Sequence, residues 1–216
     1  DRVASRGLGD VYKRQGRYSS SSGVSDVSKC IACGVGKYSS GDGIDNADEC
    51  IDCAAGRWSS SVGVDAGSKC IACDAGRYST GAGESSDGVC IGCASGKYST
   101  EIGMGADRCI GCAAGTWSSS TGVDASSKCI SCVAGKYFSE AGQSSDVCIE
   151  CTSGRWSSSA GVDAASKCIL CVAGKYSTVA GQSSDVCVAC ASGKFSYTVG
   201  MATADGCISC VAGKYY

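Results

Sequence analysis

The stretch Cys112–Cys148 reads CAAGTWSSSTGVDASSKCISCVAGKYFSEAGQSSDVC. It contains two copies of one unit. Each copy runs from a cysteine through a glycine, a ring (Trp117, then Tyr137) and a Ser/Thr-rich run. A second glycine stands seven residues after the first, and the next cysteine follows. The same unit continues in both directions. Cysteines fall in ten C-x-x-C pairs, Cys30/Cys33, Cys50/Cys53, Cys70/Cys73, Cys90/Cys93, Cys109/Cys112, Cys129/Cys132, Cys148/Cys151, Cys168/Cys171, Cys187/Cys190 and Cys207/Cys210, spaced 19 or 20 residues apart. Cys151–Cys187 nearly repeats the quoted stretch 39 residues on, and Cys53–Cys90 resembles both. A fixed period of this kind marks a tandem array rather than a globule.

Each slot of the unit has a physical role. Ile or Val follows the first cysteine of every pair, a β-branched choice that suits a short strand. One ring per unit, from Tyr38 and Trp58 to Phe195 and Tyr215, is placed to lie over a disulfide as a miniature core. The glycine two residues before the ring gives close backbone access or a positive φ. All length variation lies after the second glycine, as Gly103 to Cys109 against Gly63 to Cys70 shows. A turn there predicts a β-hairpin closed at its base by sulfur.

Composition agrees with an array that has no ordinary core. Leu, Ile, Val and Phe make 33 of 216 residues, about 15%, below the level at which a chain buries enough apolar surface. There are 20 cysteines, no histidine and no proline, and glycine reaches 32. The net charge of −2 leaves no basic footprint for a nucleic acid, and no apolar run is long enough to cross a membrane. Without histidine, a phosphate loop or a unique pair of carboxylates, the pattern predicts no enzyme, because every candidate group recurs as part of a repeat.

Three chemistries use C-x-x-C. A disulfide ladder joins the second cysteine of one pair to the first of the next. It predicts Cys33–Cys50, Cys53–Cys70, Cys73–Cys90, Cys93–Cys109, Cys112–Cys129, Cys132–Cys148, Cys151–Cys168, Cys171–Cys187 and Cys190–Cys207, and leaves Cys30 and Cys210 over. Each closed loop is worth roughly 3 kcal/mol in chain entropy. Such staples stand in for a core the chain cannot build. A four-cysteine zinc array fits the paired spacing too, although uniform spacing along the array favours the ladder. Thioredoxin-like redox chemistry needs a helix N-terminus in a βαβ setting, which nothing in the pattern supplies. The ladder implies an oxidising compartment or the cell exterior.

The unit C-x-x-C-x-x-G-[KR]-[YW]-S-x-x-x-G resembles the ephrin-receptor-like cysteine-rich repeat, a relative of the repeats in growth-factor-receptor and tumour-necrosis-factor-receptor ectodomains. The resemblance covers Gly16–Tyr216. In those units a proline commonly follows the second cysteine, where this chain has Gly34, Ala54, Asp74, Val133 and Val172. The resemblance implies small disulfide-bonded modules in an extracellular or cell-surface protein, secreted or anchored, with a protein or glycan ligand.

Other recurring groups have plain explanations. Lys or Arg precedes the ring in nine of ten units (Lys37, Arg57, Arg77, Lys97, Lys136, Arg155, Lys175, Lys194 and Lys214), with Thr116 the exception. A cationic ladder for acidic glycans is one reading; a solvated position whose aliphatic stem covers the ring is the other, and the acidic net charge favours it. Asp65, Asp124 and Asp163 recur in G-V-D-A turns, too few oxygens per loop for calcium. The Ser/Thr runs offer a hydroxyl surface for ice or glycan, or simply a hydrophilic hairpin.

The expected fold is thus small and disulfide-rich, mainly short β-hairpins and loops. It forms an elongated tandem-repeat rod of about ten units with little helix, each unit contacting mainly its neighbours. Residues 1–15 stand outside the repeat; they resemble translated library-adaptor sequence and are expected to be disordered. The repeats occupy 16–216 and read as a fragment truncated at both ends, since Lys13 stands where the register asks for cysteine and Gly213-Lys214-Tyr215 opens a unit that does not close. The expected function is a non-enzymatic extracellular or cell-surface stalk, adhesion or ligand-binding array without a cofactor. The alternatives are an intracellular zinc-binding array and a hydroxyl surface for ice or glycan.

Overall fold

The computed structural model describes residues 15–21, 26–42 and 44–211. Residues 1–14, Lys13 among them, and the incomplete unit at Gly213 lie outside the described residues. The described chain consists of ten two-stranded hairpins with no α-helix. They are β1 (Arg17–Tyr18) with β2 (Ile31–Ala32), β3 (Lys37–Tyr38) with β4 (Ile51–Asp52), β5 (Arg57–Trp58) with β6 (Ile71–Ala72), β7 (Arg77–Tyr78) with β8 (Ile91–Gly92), and β9 (Lys97–Tyr98) with β10 (Ile110–Gly111). There follow β11 (Thr116–Trp117) with β12 (Ile130–Ser131), β13 (Lys136–Tyr137) with β14 (Ile149–Glu150), β15 (Arg155–Trp156) with β16 (Ile169–Leu170), β17 (Lys175–Tyr176) with β18 (Val188–Ala189), and β19 (Lys194–Phe195) with β20 (Ile208–Ser209).

The register follows from residue choice. The ring stands directly opposite the β-branched residue, as in Tyr38↔Ile51, Trp58↔Ile71 and Tyr137↔Ile149. Aromatic and β-branched side chains stabilise each other across an antiparallel pair. Two residues per strand still fall far short of independent stability. Sulfur supplies the rest. Cys33–Cys50, Cys53–Cys70, Cys73–Cys90, Cys93–Cys109, Cys112–Cys129, Cys132–Cys148, Cys151–Cys168, Cys171–Cys187 and Cys190–Cys207 are bonded, with Cα atoms 5.7–5.9 Å apart and a sequence separation of 16 or 17. Each bond clamps the entry of one hairpin to the loop just ahead of its second strand. The sulfurs themselves are the core: Cys33, Cys53, Cys73, Cys93, Cys112 and Cys151 are fully buried.

The described residues form two compact units. The first takes the described residues up to Cys93 with Tyr98–Cys109 and Gly122–Ala125; the second takes Ala94–Lys97, Ile110–Thr121 and the described residues from Ser126 on. In the first unit, the Gly36 N–H donates to the Ser59 carbonyl at 2.8 Å, and the Gly36 carbonyl accepts from Cys53 at 2.7 Å. The Cys53 carbonyl in turn accepts from Gly83 at 2.8 Å. In the second unit the same circuit runs through Gly135, Ser157, Cys151 and Gly181, each bond 2.8 Å long. Ser59 and Ser157 belong to the next hairpin, whereas Gly83 and Gly181 belong to the next but one. Contacts therefore reach one hairpin further than a simple neighbour-to-neighbour stack.

Backbone alone can make that reach. Gly135 has φ +83°, and a Cβ built on it would run into the Gly181 carbonyl. The left-handed conformation and the close approach both require glycine at that position.

The loops close in two ways. At a separation of 17, a single 3-10 turn precedes the first cysteine, whose N–H bonds a carbonyl three residues back: Cys70 to Gly67 at 3.2 Å and Cys168 to Ala165 at 3.2 Å are examples. At a separation of 16 that turn is absent. There an aspartate two residues back accepts instead, Asp107 from Cys109, Asp146 from Cys148 and Asp185 from Cys187, all at 3.0 Å. The one-residue variation after the second glycine is thus a choice between a backbone cap and a side-chain cap.

Candidate binding surface

Rings reach onto the following hairpin. Tyr18 packs against Cys33, Cys50 and Ile44 of the following hairpin, and the Tyr38 ring lies against Gly67. Parallel backbone bridges join each ring residue to the following hairpin: Tyr38↔Val64, Trp58↔Glu84, Tyr78↔Met104 and Tyr98↔Val123 in the first unit, and Trp117↔Gln143, Tyr137↔Val162, Trp156↔Gln182 and Tyr176↔Met201 in the second. The disulfide that Tyr18 packs on, Cys33–Cys50, is that of the following hairpin.

Two buried slots escaped the sequence reading. The residue after the second glycine is core in Ile44, Val64, Met104, Val123, Val162 and Met201. Its signal was an apolar residue at constant offset, diluted by Glu84, Gln143 and Gln182. The serine just after the ring is also buried, from Ser19 and Ser39 to Ser196, apart from the hairpin where Phe138 replaces it. Its hydroxyl accepts from the N–H two residues on, as Ser59 does from Ser61 at 3.2 Å and Ser157 from Ser159 at 3.3 Å. Only the later hydroxyls of each run are exposed, so the run is half scaffold and half surface.

The cationic slot splits by residue type. Arg17, Arg57, Arg77 and Arg155 donate to the carbonyls of Cys30, Cys70, Cys90 and Cys168 at 3.0–3.4 Å, tying strand to loop. Lys37 pairs with Asp52 across the hairpin at 2.6 Å, and Lys136 with Glu150 at 3.9 Å. Thr116 donates its hydroxyl to the Ala113 carbonyl at 2.7 Å. Most of the ladder is therefore engaged inside its own hairpin. The G-V-D-A aspartates are engaged too. Lys69 donates to Asp65 at 2.8 Å and Lys167 to Asp163 at 2.8 Å, which holds both carboxyls below the ordinary aspartate range.

What remains exposed is apolar and hydroxylic. The residue after the first cysteine, from Ile31 through Ile91 to Ile208, is half exposed, 47–57% in every hairpin. A shallow groove also recurs where a ring meets the next hairpin. Tyr137, Thr152, Arg155, Ala165, Ser166 and Cys168 line one example. Tyr18, Lys37, Asp48 and Asp52 stand among the residues of another. The first carries one cation; the second carries one cation and two carboxylates. Equivalent grooves with opposite charge balance do not make a uniform anion-binding ladder.

The zinc alternative is corrected by the bonding. Eighteen cysteines are joined in S–S bonds, so none of those sulfurs is a thiolate able to ligate metal, and no cluster of candidate ligands occurs among the described residues. No helix among the described residues is long and apolar enough to cross a membrane. The chain matches no protein-family model and no curated protein. The molecule is a cysteine-rich tandem repeat of disulfide-stapled hairpins, one unit about every 20 residues.

Proposed function

We propose that the chain is a non-enzymatic repeat array of an extracellular or cell-surface protein, in which the hairpins serve as stalk, adhesion surface or display scaffold for a protein or glycan ligand. The observation that carries this reading is the nine-bond ladder in a chain that is about 15% Leu, Ile, Val and Phe. With so little apolar burial, reduction leaves two-residue strands with nothing to hold them. Thiol-reducing compartments do not sustain such a ladder. The ephrin-receptor-like motif supports the same compartment, and the repetition of every polar group supports a scaffold over a catalyst.

The test is to make the chain through an oxidising secretory route and in a reducing cytosol, then alkylate under denaturing conditions and weigh it. Secreted protein is expected to leave the eighteen ladder cysteines unlabelled, and cytosolic protein to label throughout and be digested rapidly by protease. A compact, protease-resistant cytosolic product with labelled thiols would overturn the reading.

A further inference from the structure

The two grooves are built from the same slots of the repeat. In the second unit the lining residues are Tyr137 of one hairpin and Thr152, Arg155, Ala165, Ser166 and Cys168 of the next. In the first unit Tyr18, Gly34, Lys37, Ala47, Asp48 and Cys50 fill those slots in order, and Ile51 and Asp52 extend the wall. Ring, cation, alanine and cysteine keep their kind. Asp48 stands in the slot of Ser166, and Asp52, opposite Lys37, stands in the slot of Leu170, opposite Arg155.

The two carboxylates have different fates. Asp52 takes the Lys37 ammonium at 2.6 Å. Asp48 stands two residues before Cys50, the position from which Asp107, Asp146 and Asp185 cap the short loops. The loop at Cys50 is a long one, and its cysteine N–H already donates to the Ala47 carbonyl at 3.1 Å. The Asp48 carboxylate is therefore released from capping. It is exposed, and no described residue donates to it. Among the long loops only this one has an acid both two residues before and two residues after its cysteine.

The rest of the module adds to the field. Residues 34–53 carry Asp42, Asp45, Asp48, Glu49 and Asp52 against Lys37 alone, a net of −4. Every later module, counted from one second cysteine to the next, lies between −2 and +1. Among the described residues no three carboxylates or sulfurs converge where a metal ion would sit. The negative charge is spread, which suits several cations carried on one chain rather than a single ion that needs six to eight oxygens.

We propose that the groove between Tyr18 and the β3–β4 hairpin binds a basic segment of a partner protein, with Asp48 accepting from one Arg or Lys side chain and the neighbouring carboxylates drawing in the cations that flank it. Charge complementarity selects that occupant. An anionic glycan would meet a net charge of −4, and an apolar segment would strip water from Asp48 and put no donor in its place. Arginine fits best, because a planar guanidinium donates to a carboxylate through two parallel N–H groups and can stack on a tyrosine ring. The inference rests on the display-scaffold reading for the compartment in which the partner is met.

The test uses the full oxidised chain with an alternating Arg-Gly octapeptide and its Glu-Gly counterpart, followed by amide chemical shifts. At low salt the Arg-Gly peptide is expected to shift Tyr18, Asp48 and Ile51 and to leave Tyr137, Ser166 and Ile169 in place. The Glu-Gly peptide should shift neither set, and added salt should weaken the complex. Asp48→Ser, the residue of the equivalent slot, should weaken association about threefold, and Asp48→Ser with Asp52→Leu about tenfold. Asp205→Asn, which removes one charge from another hairpin, should leave it unchanged. No Arg-Gly shift at low salt, an affinity untouched by Asp48→Ser, an equal loss in Asp205→Asn, shifts spread over both grooves, or calcium saturably shifting Asp48 and Ile51 would each overturn the proposal. Alkylation of the same sample keeps the two readings apart: failure to bind with all eighteen ladder cysteines protected counts against this inference alone.

Discussion

Two hairpins, β11–β12 and β13–β14, solve one problem in different ways. Both have a second glycine seven residues after the first, and both are closed by a disulfide. In the first, Cys129 donates its N–H to the Ser126 carbonyl at 3.0 Å at the end of a 3-10 turn. In the second, one residue shorter, Cys148 donates to the Asp146 carboxylate at 3.0 Å and no such turn forms. The long solution takes its acceptor from backbone, so the turn accepts different residues, from Asn46-Ala-Asp-Glu to Ala66-Gly-Ser-Lys. The short solution has lost the carbonyl that would satisfy the cysteine and must import an oxygen, which is why Asp107, Asp146 and Asp185 recur two residues before cysteine. A deletion of one residue is tolerated only where a side chain takes over a backbone hydrogen bond.

The strongest way to break the comparison is to remove the sulfur from each. Loop-closure entropy barely distinguishes separations of 16 and 17. Cys132→Ala with Cys148→Ala should therefore cost about the same as Cys112→Ala with Cys129→Ala, about 3 kcal/mol each. Amide exchange at Tyr137 and Ile149 reports the short hairpin, and exchange at Trp117 and Ile130 the long one. A short hairpin that survives the loss of its bond while the long one melts would mean that the cap, not the loop, holds the structure.

The caps themselves are the next target. Asp146→Ala strips the acceptor from Cys148 and should cost about 1 kcal/mol, read as faster exchange of the Cys148 amide. No single side-chain truncation removes the equivalent bond in the long loop, because there the acceptor is backbone. The two solutions should also interconvert. Deleting Ser126 shortens the long loop to the short spacing and leaves Cys129 uncapped; adding Ser127→Asp then places a carboxylate two residues before cysteine and should recover most of the loss. Equal stability with and without the aspartate would show that the cap is incidental.

Much of this was legible before any coordinates. The C-x-x-C spacing gives the hairpins and their closure, because the two residues between sulfurs form one short strand and the turn into the next hairpin follows the second sulfur. The ring and glycine slots are visible as constant offsets. What could not be read was direction. Nothing in Gly-Lys-Tyr-Ser says that Tyr38 is bridged to Val64 of the following hairpin, or that Gly135 touches Gly181 two hairpins on. Those contacts are made by backbone, and a glycine marks that a close approach is needed without saying what approaches. Ser59 hid for another reason: it opens a run of serines, and composition cannot tell the buried first hydroxyl from the exposed ones behind it. The arginines were half legible. Their aliphatic stems were expected beside the ring, but the carbonyl each guanidinium reaches lies 13 residues away.

The smallest effect separates the two loop types by pH. Asp65 and Asp163 sit in long loops, each hydrogen-bonded by a lysine four residues on, and that bond holds their carboxyls below the ordinary aspartate range against a smaller opposing effect of desolvation. A carboxyl lowered in the folded state stabilises it at pH above the unfolded value, and the contribution disappears as pH falls through the folded value. Acidification from about pH 5 downward should therefore loosen the turns at Gly67–Lys69 and Ala165–Lys167. Both pairs are on the surface, so salt should weaken the effect and its size should be modest. Amide exchange at Cys70 and Cys168 followed from pH 5 to pH 2, corrected for intrinsic rates, gives the measurement; Asp65→Asn and Asp163→Asn should each remove the pH dependence at their own site only. An unchanged profile in those variants would place the acid sensitivity elsewhere and leave the lysine staple without a role in what distinguishes the long loop from the short.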